Sequence, residues 1–257
     1  MKTFPLLYGV ICYLAFLGTF LYAIGFIGNF VVPKTIDSTP QRSVLSAIFI
    51  DAVLLLVFAL QHSIMARPAF KRWWMQFVPE YLERSTYVLF ASLCLIVMMW
   101  QWQPIGGIVW FVKSDTVKTA LFITFFVGWA IVLISTFLIN HFDLFGLRQL
   151  WLYFIDKPYS YLPFRIPVFY RFVRHPLYLG FLIAFWSTPV MIIAHLVFAI
   201  LTTGYILTAI RLEERDLKTR FREKYKNYAN DVPMIIPFSK RKKTILHESK
   251  AAPNPVQ

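Results

Sequence analysis

Apolar positions in this chain run in long blocks that neither a helical nor a strand period breaks up, the pattern of helices that are apolar all round. Four blocks, at about 6–31, 43–62, 87–102 and 119–139, come near the roughly 20 residues a helix needs to cross a hydrocarbon core of about 30 Å. The third is short and predicts an extension back towards Leu82. A fifth block, 177–210, is too long for one crossing and slightly short for two, and Ser187, Thr188 and Pro189 interrupt it. Pro189 disfavours unbroken helix, so a tight helical hairpin, or a re-entrant piece followed by one span, is expected. At Arg211 the pattern changes. Ile210, Leu217, Phe221, Tyr225 and Tyr228 then share one stripe at about 100° per residue, which predicts a basic amphipathic helix at the membrane surface over 211–231. The expected fold is an all-α integral membrane protein of five to six transmembrane helices, including a C-terminal helical hairpin, plus a cytoplasmic amphipathic helix. Its parts would be a four-span region over 1–140, a connector over 141–176, the hairpin and amphipathic region over 177–238, and a basic, disordered tail over 239–257.

Composition agrees with a membrane class: 58% of the residues are hydrophobic and 15% charged, against about 25% charged in soluble domains. Charge then orients the spans. Lys and Arg number two in 33–42, four in 63–86, two in 103–118, five in 140–176 and twelve from Arg211 onward. This alternation puts 63–86, 140–176 and both termini in the cytoplasm, in what is expected to be a bacterial inner membrane. The net charge of +13 is thereby a topology signal and an attraction for anionic lipid headgroups. Nucleic acid is not an expected partner, since no binding module accompanies the basic residues. No obligate protein partner is evident either. Cys12 and Cys94 lie inside apolar runs without metal-ligand or disulfide spacing, and no metal site is expected. The first apolar run is far longer than a signal-peptide core and is read as a retained span.

Candidate chemistry gathers at the basic face. His62, Glu83, Arg84, His141, Asp143, Arg174, His175, Glu213 and Glu214 all fall at the cytoplasmic ends of spans, whereas the outer loops offer only Asp37 and Asp115 as acids. In FVRHPLYLG, Pro176 suits a helix first turn with His175 at its cap, where free N–H groups beside Arg174 could hold a carboxylate or phosphate. An interfacial belt would account for the same residues. Gly180 would admit a close helix or ligand. Glu214 falls on the amphipathic stripe and Glu213 to its side; a buried carboxylate there needs a cation, either Arg or Lys or a bound ligand, and Tyr225 and Tyr228 could add cation–π attraction. Asp51, the acid deepest in an apolar run, shares a helix face with His62 and either works there or pairs with a neighbouring helix. His195 reads as a packing residue. Scattered histidines with no facing axial pair argue against haem.

The order RHPLYLG, interrupted apolar hairpin, LEERDL and YKNYANDVPMIIP resembles the membrane methyltransferases of the isoprenylcysteine carboxyl methyltransferase group over residues 172–237. The resemblance implies an S-adenosylmethionine site lined by Arg174, His175, Pro176, Tyr178 and Gly180 and closed by Glu213, Glu214, Tyr225 and Pro233. Upstream, ALQHSIMARPAFKRWW, ERSTYVLFASL and NHFDLFGLRQLW look like the methanethiol S-methyltransferase branch, while the HSxMAR-type segment also occurs in NnrU-like membrane proteins. The first branch implies transfer of a methyl group to a small thiol. For that chemistry the candidate base is His141 with Asp143 nearby, then His62, and Arg67 or Arg148 would stabilise the thiolate. A prenylcysteine carboxylate or phospholipid amine as acceptor, or a non-enzymatic accessory protein or transporter, are the alternatives.

Overall fold

The computed structural model describes residues 2–237 and Ser239. The expected basic tail therefore lies, Ser239 aside, outside the described residues. Helix α1 (Thr3–Gly28) ends where Asn29 adopts a left-handed conformation and donates its N–H to Gly25 O. Helices α2 (Val44–Met65), α3 (Pro68–Trp74) and α4 (Glu80–Gln101) follow, the last starting behind Pro79 and so including the extension towards Leu82. Next come strand β1 (Ile108–Phe111) and helices α5 (Asp115–Ile139), α6 (His141–Leu144) and α7 (Leu147–Phe154). The chain finishes with α8 (Pro176–Trp186), strand β2 (Val190–Ile192) and α9 (Ile193–Asp231). Five helices, α1, α2, α4, α5 and α9, are long and apolar enough to span a membrane. Their many exposed Leu, Ile and Phe side chains, such as Leu14, Phe49 and Leu56, suit contact with lipid.

Two features differ from the sequence expectation. The 211–231 stretch is not a separate surface helix; α9 runs through Arg211 and is broken only at Arg222, whose φ of 46° and ψ of −124° turn the chain. At about 1.5 Å per residue the unbroken stretch of α9 before Arg222, residues 193–221, covers about 43 Å, longer than the core of about 30 Å, so its polar end extends beyond the apolar span. The second is an antiparallel ribbon, Ile108 to Ile192 and Phe111 to Val190, in an otherwise helical fold. Its β-branched and aromatic residues suit a short pleated pair.

The hairpin is a half-length helix followed by this ribbon. Packing explains how 11 residues suffice for α8. Gly128 of α5 and Gly180 of α8 meet backbone to backbone: a Cβ at Gly128 would stand 2.7 Å from Gly180 O and from Ala184 N, and one at Gly180 2.7 Å from Gly128 O. Small residues of this kind let membrane helices approach closely. An aromatic core continues from there through Trp129, Phe185, Phe198, Trp102 and Phe26. α4 packs against α1 and α2, and α9 against α2 and α8.

At the end opposite the basic cluster, Asp51 is fully buried and its Oδ1 accepts from the Gln103 N–H at 2.8 Å, tying α2 to the segment after α4. Asp37 accepts from Asn29 Nδ2 at 2.7 Å. Burial pushes the Asp37 carboxyl up to about 6, against the lowering effect of that hydrogen bond. The native state thus holds this proton more tightly than the unfolded chain, a contribution complete below about pH 4 and lost as pH rises through about 6. Asp37→Asn should flatten that part of the profile and raise Tm at pH 7, measured by thermal unfolding in detergent between pH 4 and 7.5.

Candidate active site

The start of α8 and the polar half of α9 form one knot. Pro176, at the first position of α8, has no N–H to leave unpaired, and His175 caps the helix. The kink at Arg222 folds the last turns of α9 and the segment after it back onto this cap. Arg174 N–H donates to Pro233 O at 2.9 Å and His175 N–H to Met234 O at 3.2 Å, so two donors just ahead of α8 are taken by the chain itself. The Arg174 side chain is equally committed. Its Nε donates to Glu214 Oε1 at 2.7 Å, and its Nη1 to the carbonyls of Ala229 and Val232 at 2.8 and 2.7 Å. His175 Nε2 approaches the same Glu214 oxygen at 3.2 Å, and its Nδ1 lies 3.9 Å from Glu213 Oε2. The guanidinium favours an ionised Glu214.

Glu214 therefore has the cationic partner that its place on the stripe required, and its side chain is 12% exposed against 45% for Glu213. Tyr225 and Tyr228 are buried beside it, under Phe164. Tyr228 donates to Tyr170 O at 2.7 Å, while the Tyr225 hydroxyl is buried without a hydrogen-bond partner. An open cavity of about 480 Å³ adjoins the carboxylate, lined by Arg211, Glu214, Arg215, Lys218 and Thr219. Two acids, an orphaned phenol and a basic rim suit a ligand that carries both a cation and a carboxylate. Gly180 is not among these groups, since it faces α5.

The acceptor candidates separate into two sets. His141 is buried with both ring nitrogens engaged, Nδ1 by Thr136 Oγ1 and Nε2 by Tyr13 Oη, each at 2.8 Å, and Phe137 stacks on its ring. Burial pushes its imidazole down, which favours the neutral form. Asp143 does not serve it; that carboxylate holds Arg148 at 2.8 Å, and Arg148 also binds Ser160. His62 stands elsewhere. The Tyr87 hydroxyl lies 3.0 Å from a His62 ring nitrogen, and Phe58 stacks on the imidazole. Tyr205 of α9 stands beside them, its hydroxyl 3.2 Å from Ser63 Oγ and its ring against Phe58, while Tyr178 packs on His175 at the knot. Arg67, at the end of α2, is held by Asp216 of α9 at 2.8 Å. Tyr87, Tyr205 and Asp216 are members of this site that sequence reasoning did not single out; Asp216 lay within the LEERDL motif, whereas nothing in the sequence pairs Tyr87 with His62.

Relatives match along most of the chain. It is 56% identical over 241 residues to the methanethiol S-methyltransferase of Crocosphaera subtropica, covering 94% of each chain. It is 50% identical over 236 residues to that of Mycobacterium tuberculosis, covering 92% of this chain and 97% of the relative. A more distant match, 29% over 186 residues, is nurim of Mus musculus, with 69% and 71% covered. No family model and no solved structure matches. With identities of this level over nearly its whole length, the chain belongs to the methanethiol S-methyltransferase family.

Proposed function

We propose that this membrane enzyme transfers the methyl group of S-adenosylmethionine to methanethiol, giving dimethyl sulfide, at a site facing the cytoplasm of a bacterial inner membrane. The observation that carries it is the knot of Arg174, His175 and Glu214 in a chain whose relatives bear the name of that reaction. The residues fit the methyl donor. A cavity of about 480 Å³ lies within the usual range for small-ligand sites of about 300–1,000 Å³. Glu213, Glu214 and Tyr225 suit a sulfonium and an ammonium group, and Arg211, Arg215 and Lys218 suit a carboxylate. When bound, the donor supplies an electrophilic methyl carbon on a cationic sulfur.

The chain supplies position and proton transfer. Arg174 braces Glu214 and ties α8 to the folded-back end of α9, which fixes the donor half of the site. His62 is the favoured base, because His141 has both nitrogens occupied by two hydroxyls while His62 contacts a single hydroxyl, that of Tyr87, and lies beside Tyr205 of α9 through Phe58. Headspace chromatography of cells given methanethiol should show dimethyl sulfide above an empty-vector control. Its absence, with the protein present in membranes, would remove the reading. In purified protein, His62→Gln should lower kcat by about 100-fold with KM for the donor unchanged, whereas His141→Gln should chiefly lower Tm.

A further inference from the structure

Among the described residues, four arginines are not exposed: Arg67, Arg84, Arg148 and Arg174. Three of them hold a carboxylate within 2.8 Å, namely Asp216, Asp143 and Glu214. Arg84 holds none, and its buried Nε has no hydrogen-bond acceptor. Its neighbours cannot supply one. Arg67 is taken by Asp216, and Lys71 of α3 lies 3.3 Å from Glu83. Three cations thus share two acids, and one positive charge is left over. The remaining titratable groups around it are His62 on α2, Tyr87 on α4 and Tyr159 in the connector, the last also beside the Asp143–Arg148 pair. A partly buried charge without a counter-ion is costly, which makes Arg84 a candidate place for an anion.

The position of Arg84 says which anion. Its guanidinium lies 5.9 Å from the centre of the Tyr87 ring, and the hydroxyl of that ring contacts His62. We infer that Arg84 binds the acceptor sulfur as its thiolate and is a catalytic residue of the acceptor half of the site, an assignment that rests on the methyl-transfer reading above. The role expected of Arg67 or Arg148 passes to Arg84, since both of the others are already neutralised. In the step itself the thiol proton goes to His62 and from there to water. A thiolate lone pair forms the new sulfur–carbon bond as the methyl–sulfonium bond breaks, its electron pair staying on the donor sulfur. An anion and a cation become two neutral thioethers, so Arg84 holds its ligand before transfer and loses its grip on the product afterwards.

The test uses full-length protein in lipid nanodiscs with methanethiol and with trifluoroethanethiol, a small thiol that ionises more readily. Arg84→Gln should lower kcat/KM for methanethiol by about 100-fold at pH 7, the scale of losing one charge-stabilising donor. The loss should shrink as pH rises and be smaller for the acidic thiol, with donor binding unchanged and Arg84→Lys recovering part of the activity. An Arg84→Gln enzyme within threefold of wild type would overturn the assignment. So would a loss equal at every pH and for both thiols, which would make Arg84 a structural residue. A wild-type enzyme that methylates neither thiol would remove the underlying reading instead.

Discussion

Glu214→Ala is expected to abolish dimethyl sulfide formation and to weaken binding of the methyl donor by at least about 100-fold, or about 2.7 kcal/mol. The substitution acts twice. It removes the carboxylate next to the cavity, and it leaves the largely buried Arg174 guanidinium with only two backbone carbonyls. Breaking one side of a buried pair costs about 3–5 kcal/mol in well-buried cases, with partial exposure reducing that figure. Glu214→Gln separates the two effects. The amide oxygen still accepts from Arg174 Nε, so stability should largely return while donor binding, which needs the charge, should not. Isothermal titration with S-adenosylhomocysteine and with S-adenosylmethionine would check this, since the first lacks the sulfonium charge and should lose less. Recovery of full activity in Glu214→Gln would show that the carboxylate only braces the fold.

The second large effect is expected where two helix backbones meet rather than at a polar side chain. Gly128→Ala and Gly180→Ala each place a methyl group 2.7 Å from backbone atoms of the facing helix, which cannot rotate away as a side chain could. Overpacking typically costs about 1–3 kcal/mol, and here α5 and α8 must separate to relieve it. Because α8 carries Arg174 and His175 at its start, separation also displaces the donor half of the site. Both variants should melt at a lower temperature in detergent and lose most activity while still reaching the membrane. Gly204→Ala, at a position with open space around it, is the control and should change neither. Wild-type activity in Gly128→Ala would contradict the close approach.

The spans were readable because a bilayer leaves an apolar block of about 20 residues few alternatives to a helix. Glu214 was readable because a carboxylate on a hydrophobic stripe demands a cation, and Arg174 turned out to be that cation. That Arg174 also commits its Nη1 to the protein is invisible in the sequence, because Ala229 and Val232 reach it only through the kink at Arg222, and an arginine there carries no sign of positive φ. The sequence ranks His141 first and His62 second as base, and the role proposed for His62 reverses that order. The two look alike in sequence, each at the end of an apolar run, and differ in partners set by helix rotation: Tyr13 and Thr136 for one, Tyr87 for the other. Arg67, Arg84 and Arg148 were likewise indistinguishable until acids were located on the first and last of them and none on Arg84.

The shortness of α8 has a consequence for how the enzyme is emptied. From the Gly128–Gly180 contact, α5 runs on for about 17 Å to Ile139, whereas α8 reaches His175 in about 7.5 Å. The cap of α8 thus stands roughly 9 Å short of the end of α5. For the proposed reaction, a volatile, apolar product released at that depth would leave sideways into hydrocarbon and the zwitterionic nucleoside product through the aqueous mouth. The two would then depart by different doors, and a build-up of one in its own phase need not block the exit of the other.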